Sequence, residues 1–238
     1  MKTRTRNAMG AAAATAAIVA SVPLSINAYA DPTPTPQPAV EIPDPQGNCD
    51  PFKAAVPGWK GLNDVPVSKA LASIPDISTF NSAVSGGLNP AVNITSVLDN
   101  GPYVVFAPTN DAFAALEPGQ LDALKADPAA LTKLDYYHVF LGLLGPEDVH
   151  GQRPTQQGAD IKVEGKNGDI KVNGTTKVIC GGIQAQNARI YIIDTVLDPA
   201  NPPEPLTPTV SSSSSTTTTT TSPLPNAEVV PGAEAPAG

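Results

Sequence analysis

The sequence predicts an α+β domain, because most helix-like segments lie in the first half of the chain and most strand-like segments in the second. Before about residue 137, apolar residues recur at helical spacing behind residues that begin helices. After about residue 160, apolar and polar residues alternate between Asn-Gly turns. With 27 prolines and only 15% charged residues in 238, the composition indicates one modest core with proline-rich flanks.

Three helices are predicted from apolar spacing and from residues that begin helices. The first covers residues 77–88, where apolar side chains recur every three or four positions. The second begins at Thr109 or Asn110, either of which can cap it, and ends before Pro118. The third begins at Asp127, which is expected to cap it, with a proline in its first turn.

Two Asn-Gly pairs predict tight turns between strands. Residues 161–163 and 170–172 alternate apolar and polar side chains, and Asn167-Gly168 between them predicts a hairpin. Asn173-Gly174 predicts a second turn, which is followed by a strand that includes residues 177–180.

Three further strands are predicted from short apolar runs. Residues 190–197 are almost wholly apolar, which is typical of a central strand that is covered on both faces. Residues 103–106 and 137–141 are the other two candidates.

Residues 1–30 have the pattern of a secretory signal peptide. They begin with three basic residues and no acid, continue with an apolar run over about residues 8–24, and end in Ala28-Tyr29-Ala30, a small-residue cleavage pattern. We expect cleavage before Asp31. A membrane anchor is the alternative, but the run is alanine-rich, contains Pro23 and falls short of the ~20 strongly apolar residues that a span needs. The sequence therefore predicts an exported protein with no integral membrane span after cleavage.

Cleavage also makes the protein more acidic. It removes Lys2, Arg4 and Arg6 and no acid, which changes the formal net charge from −8 to −11. Proteins that bind phosphate backbones need a basic surface. The charge therefore argues against nucleic acid as a partner.

Proline content divides the exported chain into three parts. Residues 31–48 hold six prolines and predict an extended spacer, whereas residues 200–238 combine prolines with a Ser/Thr tract and predict a disordered tail. The compact domain is expected between them, at residues 49–199. The tail has the composition of an O-glycosylated stalk, and an unmodified flexible tail is the alternative.

Cys49 and Cys180 are the only cysteines and lie towards the two ends of the expected domain. A structural disulfide is expected in an exported protein, and two cysteines allow one intramolecular pairing. In the chain-entropy description, a disulfide between Cys49 and Cys180, which closes a loop of about 131 residues, stabilises a fold by roughly 5 kcal/mol. A redox or metal site is the alternative, but the close Cys-x-x-Cys spacing that redox sites usually have is absent.

Three blocks of the sequence resemble the signature blocks of fasciclin-type adhesion domains. Tyr103–Phe113 is similar to the first block, Tyr137–Gly142 to the central Tyr-His block, and Ile190–Leu197 to the closing block. Their order and spacing also fit, and the resemblance covers about residues 49–198. The cysteines and the Cys180-Gly-Gly stretch resemble, more narrowly, the small secreted immunogenic fasciclin-domain proteins of mycobacteria.

The resemblance implies a fold and a function. The implied fold is a wedge of two antiparallel β-sheets with helices packed at its edge. The implied function is adhesion by a secreted, monomeric protein, extracellular or associated with the cell wall, that contacts cell-surface or matrix proteins. The alternative is a carrier that holds a small apolar ligand or lipid in a cleft between the sheet and the helices.

The resemblance also nominates Tyr137 and His138 as binding residues, because this block has been linked to receptor and matrix contact. The surrounding residues favour a structural role for His138 instead, since the block is embedded in apolar residues and an unpaired buried imidazole would cost about 1–3 kcal/mol. The expected partner of His138 lies in the turn that contains Thr109 and Asn110, which are assigned structural roles. Tyr137 is left open between the two roles.

Asp194 is a third polar residue with an expected structural role, because it lies in an apolar strand. A carboxylate in such a position must either leave at the edge of the sheet or accept hydrogen bonds from backbone or hydroxyl groups.

No pattern in the chain predicts catalysis, a metal site or a cofactor. The two histidines, His138 and His150, have no metal-ligand neighbour at helical or hairpin spacing. The sequence contains no nucleophile elbow, phosphate-binding loop, dinucleotide fingerprint or EF-hand loop. We therefore predict a protein that is not an enzyme.

Overall fold

The computed structural model describes residues 41–204. The predicted signal peptide, most of the proline-rich spacer and most of the tail lie outside these residues. The helices of the described part are α1 (Asp50–Ala55), α2 (Val67–Ala72), α3 (Ser78–Val84), α4 (Thr95–Asp99), α5 (Asn110–Ala114), α6 (Gln120–Ala126) and α7 (Pro128–Tyr137). Its strands are β1 (Gln46–Gly47), β2 (Tyr103–Pro108), β3 (Val139–Leu141), β4 (Gly151–Pro154), β5 (Asp160–Lys166), β6 (Asp169–Val172), β7 (Thr176–Ala185) and β8 (Ala188–Ile193). Short 3₁₀ segments cover Trp59–Asp64 and Pro75–Ile77.

The strands of the described part form one hydrogen-bonded path. Their order is β3-β2-β8-β7-β6-β5-β4, and β1 pairs with β7. β2 and β8 are parallel, whereas the other pairs are antiparallel. Thr155, directly after β4, forms an isolated bridge with Phe140 of β3. The two ends of the path therefore meet, and the sheet is nearly a barrel.

The predicted mixture of helices and strands is confirmed, but its arrangement differs from two antiparallel sheets. β7 pairs with β6 at its beginning and with β8 along most of its length, so a single strand joins the two parts of the path. Between β2 and β8 the chain passes through five other strands and reverses direction from each strand to the next. β8 therefore runs in the same direction as β2 when it returns beside it. Alternation of side chains identifies a strand but does not identify its neighbours, which is why the sequence did not predict this pair.

Two apolar cores lie on opposite faces of the sheet. Along β2, Val105 and Ala107 belong to the core shared with the helices, whereas Val104 and Phe106 belong to the core inside the curved sheet. This alternation follows from the two-residue period of a strand. The helices therefore cover one face of the sheet, rather than only its edge as predicted.

Two of the three predicted helices begin where the sequence places them. At the start of α5, the Ala112 N–H donates a hydrogen bond to Thr109 Oγ1. At the start of α7, the Ala129 and Ala130 N–H groups donate hydrogen bonds to Asp127 Oδ1. Side-chain acceptors at these positions satisfy N–H groups that have no partner within the helix.

The helix predicted over residues 77–88 is shorter in the structure. Its first residue, Ile77, is the last residue of the 3₁₀ segment, and α3 covers only Ser78–Val84. Gly86 then has a φ of +89°, a left-handed conformation that turns the chain away from the helix.

Both predicted Asn-Gly turns are confirmed. Asn167 and Gly168, with φ of 54° and 85°, join β5 to β6. Asn173 and Gly174, with φ of 50° and 78°, join β6 to β7. Two successive left-handed residues match the right-handed twist of the flanking strands.

Two of the remaining strand predictions are correct in position but too long at one end, whereas the strand predicted over residues 103–106 continues to Pro108 as β2. The strand predicted over residues 190–197 is central, between β2 and β7, but β8 ends at Ile193. The strand predicted over residues 137–141 begins only at Val139, because α7 continues through Tyr137. Tyr137 and His138 therefore lie at a helix end and not in a strand.

Cys49 and Cys180 form the predicted disulfide. It ties the residue before α1 to the middle of β7, across a sequence separation of 131 residues. Gln46 and Gly47 also pair with β7, although the sequence analysis had assigned them to the spacer. The chain therefore joins the sheet before the predicted domain boundary at residue 49.

Candidate functional site

The Tyr-His block lies at the junction of α7 and β3. Tyr137 is the last residue of α7, and His138 connects it to the first residue of β3. Both side chains are completely buried, each with a relative exposure of 0%. In this conformation neither side chain is available to touch a partner, which conflicts with their nomination as contact residues.

His138 is held by two hydrogen bonds to the backbone. Its Nδ1 lies 2.9 Å from the Leu134 carbonyl oxygen, and the Leu197 N–H donates to its Nε2 over 3.0 Å. Since a carbonyl only accepts and an N–H only donates, Nδ1 carries the proton and Nε2 is the acceptor. The predicted partner turn at Thr109 and Asn110 is wrong, because the ring links α7 to the segment that follows β8.

This bonding pattern requires a neutral imidazole. Burial lowers the pKa of His138 from 6.5 to about 4, against a smaller opposite effect of its hydrogen bond to the Leu134 carbonyl. A proton on Nε2 would place two donors face to face at Leu197. The ring is therefore neutral at physiological pH, and the placement favours the structural role.

Tyr137 joins α7 to the β5–β6 region. Its hydroxyl donates to the Asp160 carbonyl oxygen over 3.1 Å and accepts from Asn173 Nδ2 over 3.1 Å. Burial raises the pKa of Tyr137 above its ordinary value, and the Asn173 hydrogen bond acts in the opposite direction. The phenol therefore remains protonated and keeps both hydrogen bonds.

Asp135 is a buried acid that the sequence analysis missed. It has a relative exposure of 0%, and neither carboxyl oxygen has a hydrogen-bond partner among residues 41–204. Burial raises its pKa from 3.8 to about 8, so the carboxyl group is mostly protonated at neutral pH. Its spacing of four residues after the buried Leu131 was the available signal, because such residues share one side of a helix.

The polar residues of the first block have local structural positions. Besides the Thr109 cap, Asn110 links α5 to α3: its Oδ1 accepts from the Thr79 N–H over 2.9 Å and from the Ser78 hydroxyl over 3.2 Å. Its Nδ2 donates to the Pro75 carbonyl oxygen over 2.9 Å. The side-chain amide thus fixes the start of α3 from a neighbouring helix.

Asp194 combines the two alternatives expected for it. It lies just beyond β8 and is exposed. Its Oδ1 accepts hydrogen bonds from the Lys177 N–H over 2.8 Å and from the Thr195 hydroxyl over 2.9 Å. Its own N–H donates to the Lys177 carbonyl oxygen, which extends the pairing of β7 and β8 by one residue.

Two leucines shortly after Tyr137 and His138 are exposed, and we call them the leucine patch: Leu141 and Leu143. Leu141 ends β3 with 61% of its surface exposed, and Leu143 follows with 44%. Among the large apolar side chains of residues 41–204, Val97 in α4 is the other exposed one, at 39%. The sequence alone does not indicate this patch, because an apolar residue at the end of a strand is indistinguishable from a core residue by type.

A cleft lies between the sheet and the first helices, and we call it the sheet–helix cleft. Its volume is about 310 Å³. Apolar side chains line it from α1, β7 and β8: Phe52, Ile179 and Ile192. Its polar lining comes from Asn48 and from the short segments that contain Asp76 and Asp111. A smaller hollow of about 180 Å³ lies between α6, α7 and the segment after β8.

The described residues hold no candidate metal centre and no membrane span. Within residues 41–204, no group of three or more His, Cys, Asp or Glu side chains is placed to hold a metal ion. No helix in this part of the chain has the length and apolar character that a membrane crossing requires.

Comparison with known proteins gives a consistent set of relatives. The family model described as Fasciclin domain matches residues 75–199. Immunogenic protein MPB70 of Mycobacterium bovis is 41% identical over 155 residues, which are 63% of this chain and 80% of that protein. Cell surface glycolipoprotein MPB83 of Mycobacterium bovis is 44% identical over 139 residues, which are 58% of this chain and 63% of that protein.

A solved structure is also similar to the chain. It is a FAS1 domain pair from the insect cell adhesion molecule fasciclin I, with a TM-score of 0.48 and 18% sequence identity. The match covers 56% of this chain and 51% of that one.

Proposed function

Because the chain belongs to the fasciclin domain family, we propose that it is an exported protein that mediates adhesion by protein–protein contact, without catalysis. The relative MPB83 is described as a cell surface glycolipoprotein, and MPB70 as an immunogenic protein. These descriptions support an extracellular or cell-wall location for this chain. Cell-surface or matrix proteins are the proposed partners, and the chain acts as a monomer.

The leucine patch is the observation that carries this proposal. Among the large apolar side chains of residues 41–204 three are exposed, and two of these three lie two residues apart in the chain. Exposed apolar side chains that lie close together favour protein contact, and aliphatic groups gain free energy when a partner removes them from water. The patch begins three residues after His138, one of the two residues that the family resemblance nominated.

In this proposal Tyr137 and His138 hold the contact surface in position. Tyr137 and His138 fasten the end of α7 to β5 and to the segment after β8 through buried hydrogen bonds. β3 begins at the next residue and ends in Leu141. Tyr137 and His138 are thus positioning residues, and the leucines make the contact.

The experiment is to measure binding of the exported chain to cultured cells and to immobilised matrix extract. We expect the double variant L141S/L143S to bind at least about tenfold more weakly, since aliphatic contacts worth ~1.4 kcal/mol are lost. Its melting temperature should stay close to that of the wild type, because exposed substitutions change stability by about 0.5 kcal/mol or less. Val97→Ser is the matched control and should bind normally. Full binding by the double variant would refute the proposal.

The second candidate function, the carriage of a small apolar ligand or lipid, would use the sheet–helix cleft. Its volume of about 310 Å³ is at the lower end of the range of ligand pockets. Mass spectrometry of the protein purified from its native secretion separates the two functions. A stoichiometric lipid would support carriage, whereas lipid-free protein that still binds cells supports contact.

A further inference from the structure

We propose that the sheet–helix cleft binds a lysine or arginine side chain that a partner protein presents on an exposed loop. The inference rests on the proposed function, since it requires a protein partner, and it names the chemistry of that partner. The cleft is formed by segments that are distant in sequence, including α1, β7, β8 and the 3₁₀ segment before α3. It is separate from the leucine patch, none of whose residues line it.

The floor of the cleft suits the aliphatic part of such a side chain. Phe52, Cys180 and Ile192 are buried, and Ile179 packs against the same core. The stems of lysine and arginine lie readily along apolar surface while the charged head stays near water. A volume of about 310 Å³ is large enough to admit a single long side chain.

The polar rim offers acceptors and no cation. Thr109 and Asn110 already use their side chains within the domain, as a helix cap and as the link to α3. The carboxylates of Asp76 and Asp111 make no hydrogen bond or salt bridge to the residues of the described part. None of the described residues that line the cleft is basic. The charged groups of the rim that have no partner within the described part are therefore the two carboxylates, and both are negative.

A guanidinium or ammonium group complements this rim. Hydrogen bonds between a cationic donor and a carboxylate are about twice as strong as those between neutral groups. An apolar ligand without charge would cover the floor and leave the two carboxylates without a counterion. Charge complementarity therefore selects a cationic side chain over a neutral lipid.

The chain's own flanks do not supply the proposed side chain. Residues 31–40 and 205–238 contain no lysine and no arginine, and the basic residues before them belong to the predicted signal peptide, which we expect to be cleaved. The proposed lysine or arginine therefore belongs to another molecule.

The experiment titrates the exported chain with the blocked tripeptide acetyl-Leu-Arg-Leu-amide and follows the backbone amides by NMR. We expect shifts at Ile179, Cys180 and Ile192, and at least about tenfold weaker binding of the matching citrulline peptide, which is isosteric but neutral. Binding should also weaken as salt is raised, because the rim is open to solvent. Equal binding of the citrulline peptide, or shifts confined to other surfaces, would overturn the proposal.

Two double variants distinguish peptide binding in the cleft from a general effect of the protein's net charge. D76N/D111N should bind the arginine peptide about tenfold or more weakly, whereas E117Q/D122N, which removes the same charge from exposed positions outside the cleft, should bind it normally. Equal loss in both would show a general charge effect and refute the site. Melting temperatures of both variants verify that each is folded.

The leucine-patch variant distinguishes this inference from the proposed function. L141S/L143S should bind the arginine peptide as the wild type does, although it no longer binds cells. If the wild-type chain binds cells but not the peptide, the cleft inference fails while the contact function stands. If the peptide binds and cell binding does not depend on the leucine patch, the contact surface proposed above fails instead.

Discussion

The pair Tyr137 and His138 and the leucine patch are neighbours in sequence but have opposite environments. Tyr137 and His138 are polar and completely buried, whereas Leu141 and Leu143 are apolar and largely exposed. In most domains polar side chains face water and leucines face the core. The difference separates two tasks: the polar pair holds three parts of the domain together, and the leucines are left free to make contacts.

The hydrogen bonds explain why the polar pair is buried. His138 is bonded to α7 and to Leu197, and Tyr137 to Asp160 and Asn173, so each ring joins segments that are far apart in sequence. Every polar atom of these two rings has a partner, which removes most of the cost of burial. Conspicuous polar residues in a signature block can therefore be structural, and in the proposed function their less conspicuous neighbours make the contact.

The largest expected effect on stability comes from His138→Ala. The change leaves a void in the core and leaves the buried Leu197 N–H without its acceptor, so we expect a loss of about 2–4 kcal/mol in the free energy of unfolding. Denaturant unfolding measures it. His150→Ala is the matched control, because His150 is exposed and should lose no more than about 0.5 kcal/mol.

Binding measurements on His138→Ala test whether His138 only supports the leucine patch or itself contacts the partner. If His138 only positions the patch, cell binding by His138→Ala should fall in proportion to the folded fraction. A fully stable His138→Ala variant that no longer binds cells would show that the histidine is itself a contact residue.

The pH dependence of stability gives the next largest effect, through His138 and Asp135. His138 binds a proton more weakly in the folded state, with a pKa of about 4 against 6.5, so its contribution is complete above pH 6.5 and is lost as pH falls towards 4. Asp135 binds its proton more strongly when folded, with a pKa of about 8 against 3.8. Its contribution is therefore complete below pH 3.8 and is lost as pH rises towards 8.

The two contributions oppose each other where they overlap. Between pH 4 and 6.5 they nearly cancel, and between pH 6.5 and 8 the Asp135 effect alone lowers stability, by about 2 kcal/mol. In Asp135→Asn, stability should rise by about 3 kcal/mol from pH 4 to 6.5 and then stay level. Chemical denaturation at several pH values checks both profiles, and identical profiles for the two proteins would contradict the assignment.

Much of the fold could be predicted from sequence because local signals decided it. Thr109 and Asp127 cap their helices, and the two Asn-Gly pairs form turns with left-handed residues at the predicted positions. The disulfide followed from export and from the presence of two cysteines. In each case, a few adjacent residues or a simple count contained the information.

Features that depend on distant partners could not be predicted in this way. The partner of His138 is Leu197, 59 residues away, and not the turn near Thr109. The parallel pairing of β2 with β8 and the exposure of Leu141 likewise depend on which segments meet in three dimensions. Residue types predict that a group needs a partner, but they do not identify the partner.

The smallest of these effects on stability is expected for Tyr137→Phe, which keeps the buried ring and removes only the hydroxyl. The Asn173 amide and the Asp160 carbonyl each lose a hydrogen-bond partner, and both residues are only partly buried, so water can replace part of the loss. We expect a loss of about 1–2 kcal/mol in the free energy of unfolding. Tyr136→Phe is the matched control, because the hydroxyl of Tyr136 makes no hydrogen bond to residues 41–204 and its loss should be nearly neutral.

The single variant Asn173→Ala and the double variant Tyr137→Phe/Asn173→Ala complete a double-mutant cycle with Tyr137→Phe. If the hydroxyl and the Asn173 amide stabilise the domain through their mutual hydrogen bond, the two single losses should sum to more than the loss in the double variant. Binding to cells should remain at the wild-type level in Tyr137→Phe, because the leucine patch begins at the last residue of β3, outside the hydrogen bonds of the hydroxyl, and keeps its exposure. A phenylalanine variant with full stability and weakened binding would place the tyrosine hydroxyl in the contact, and the division between buried support and exposed patch would then be wrong.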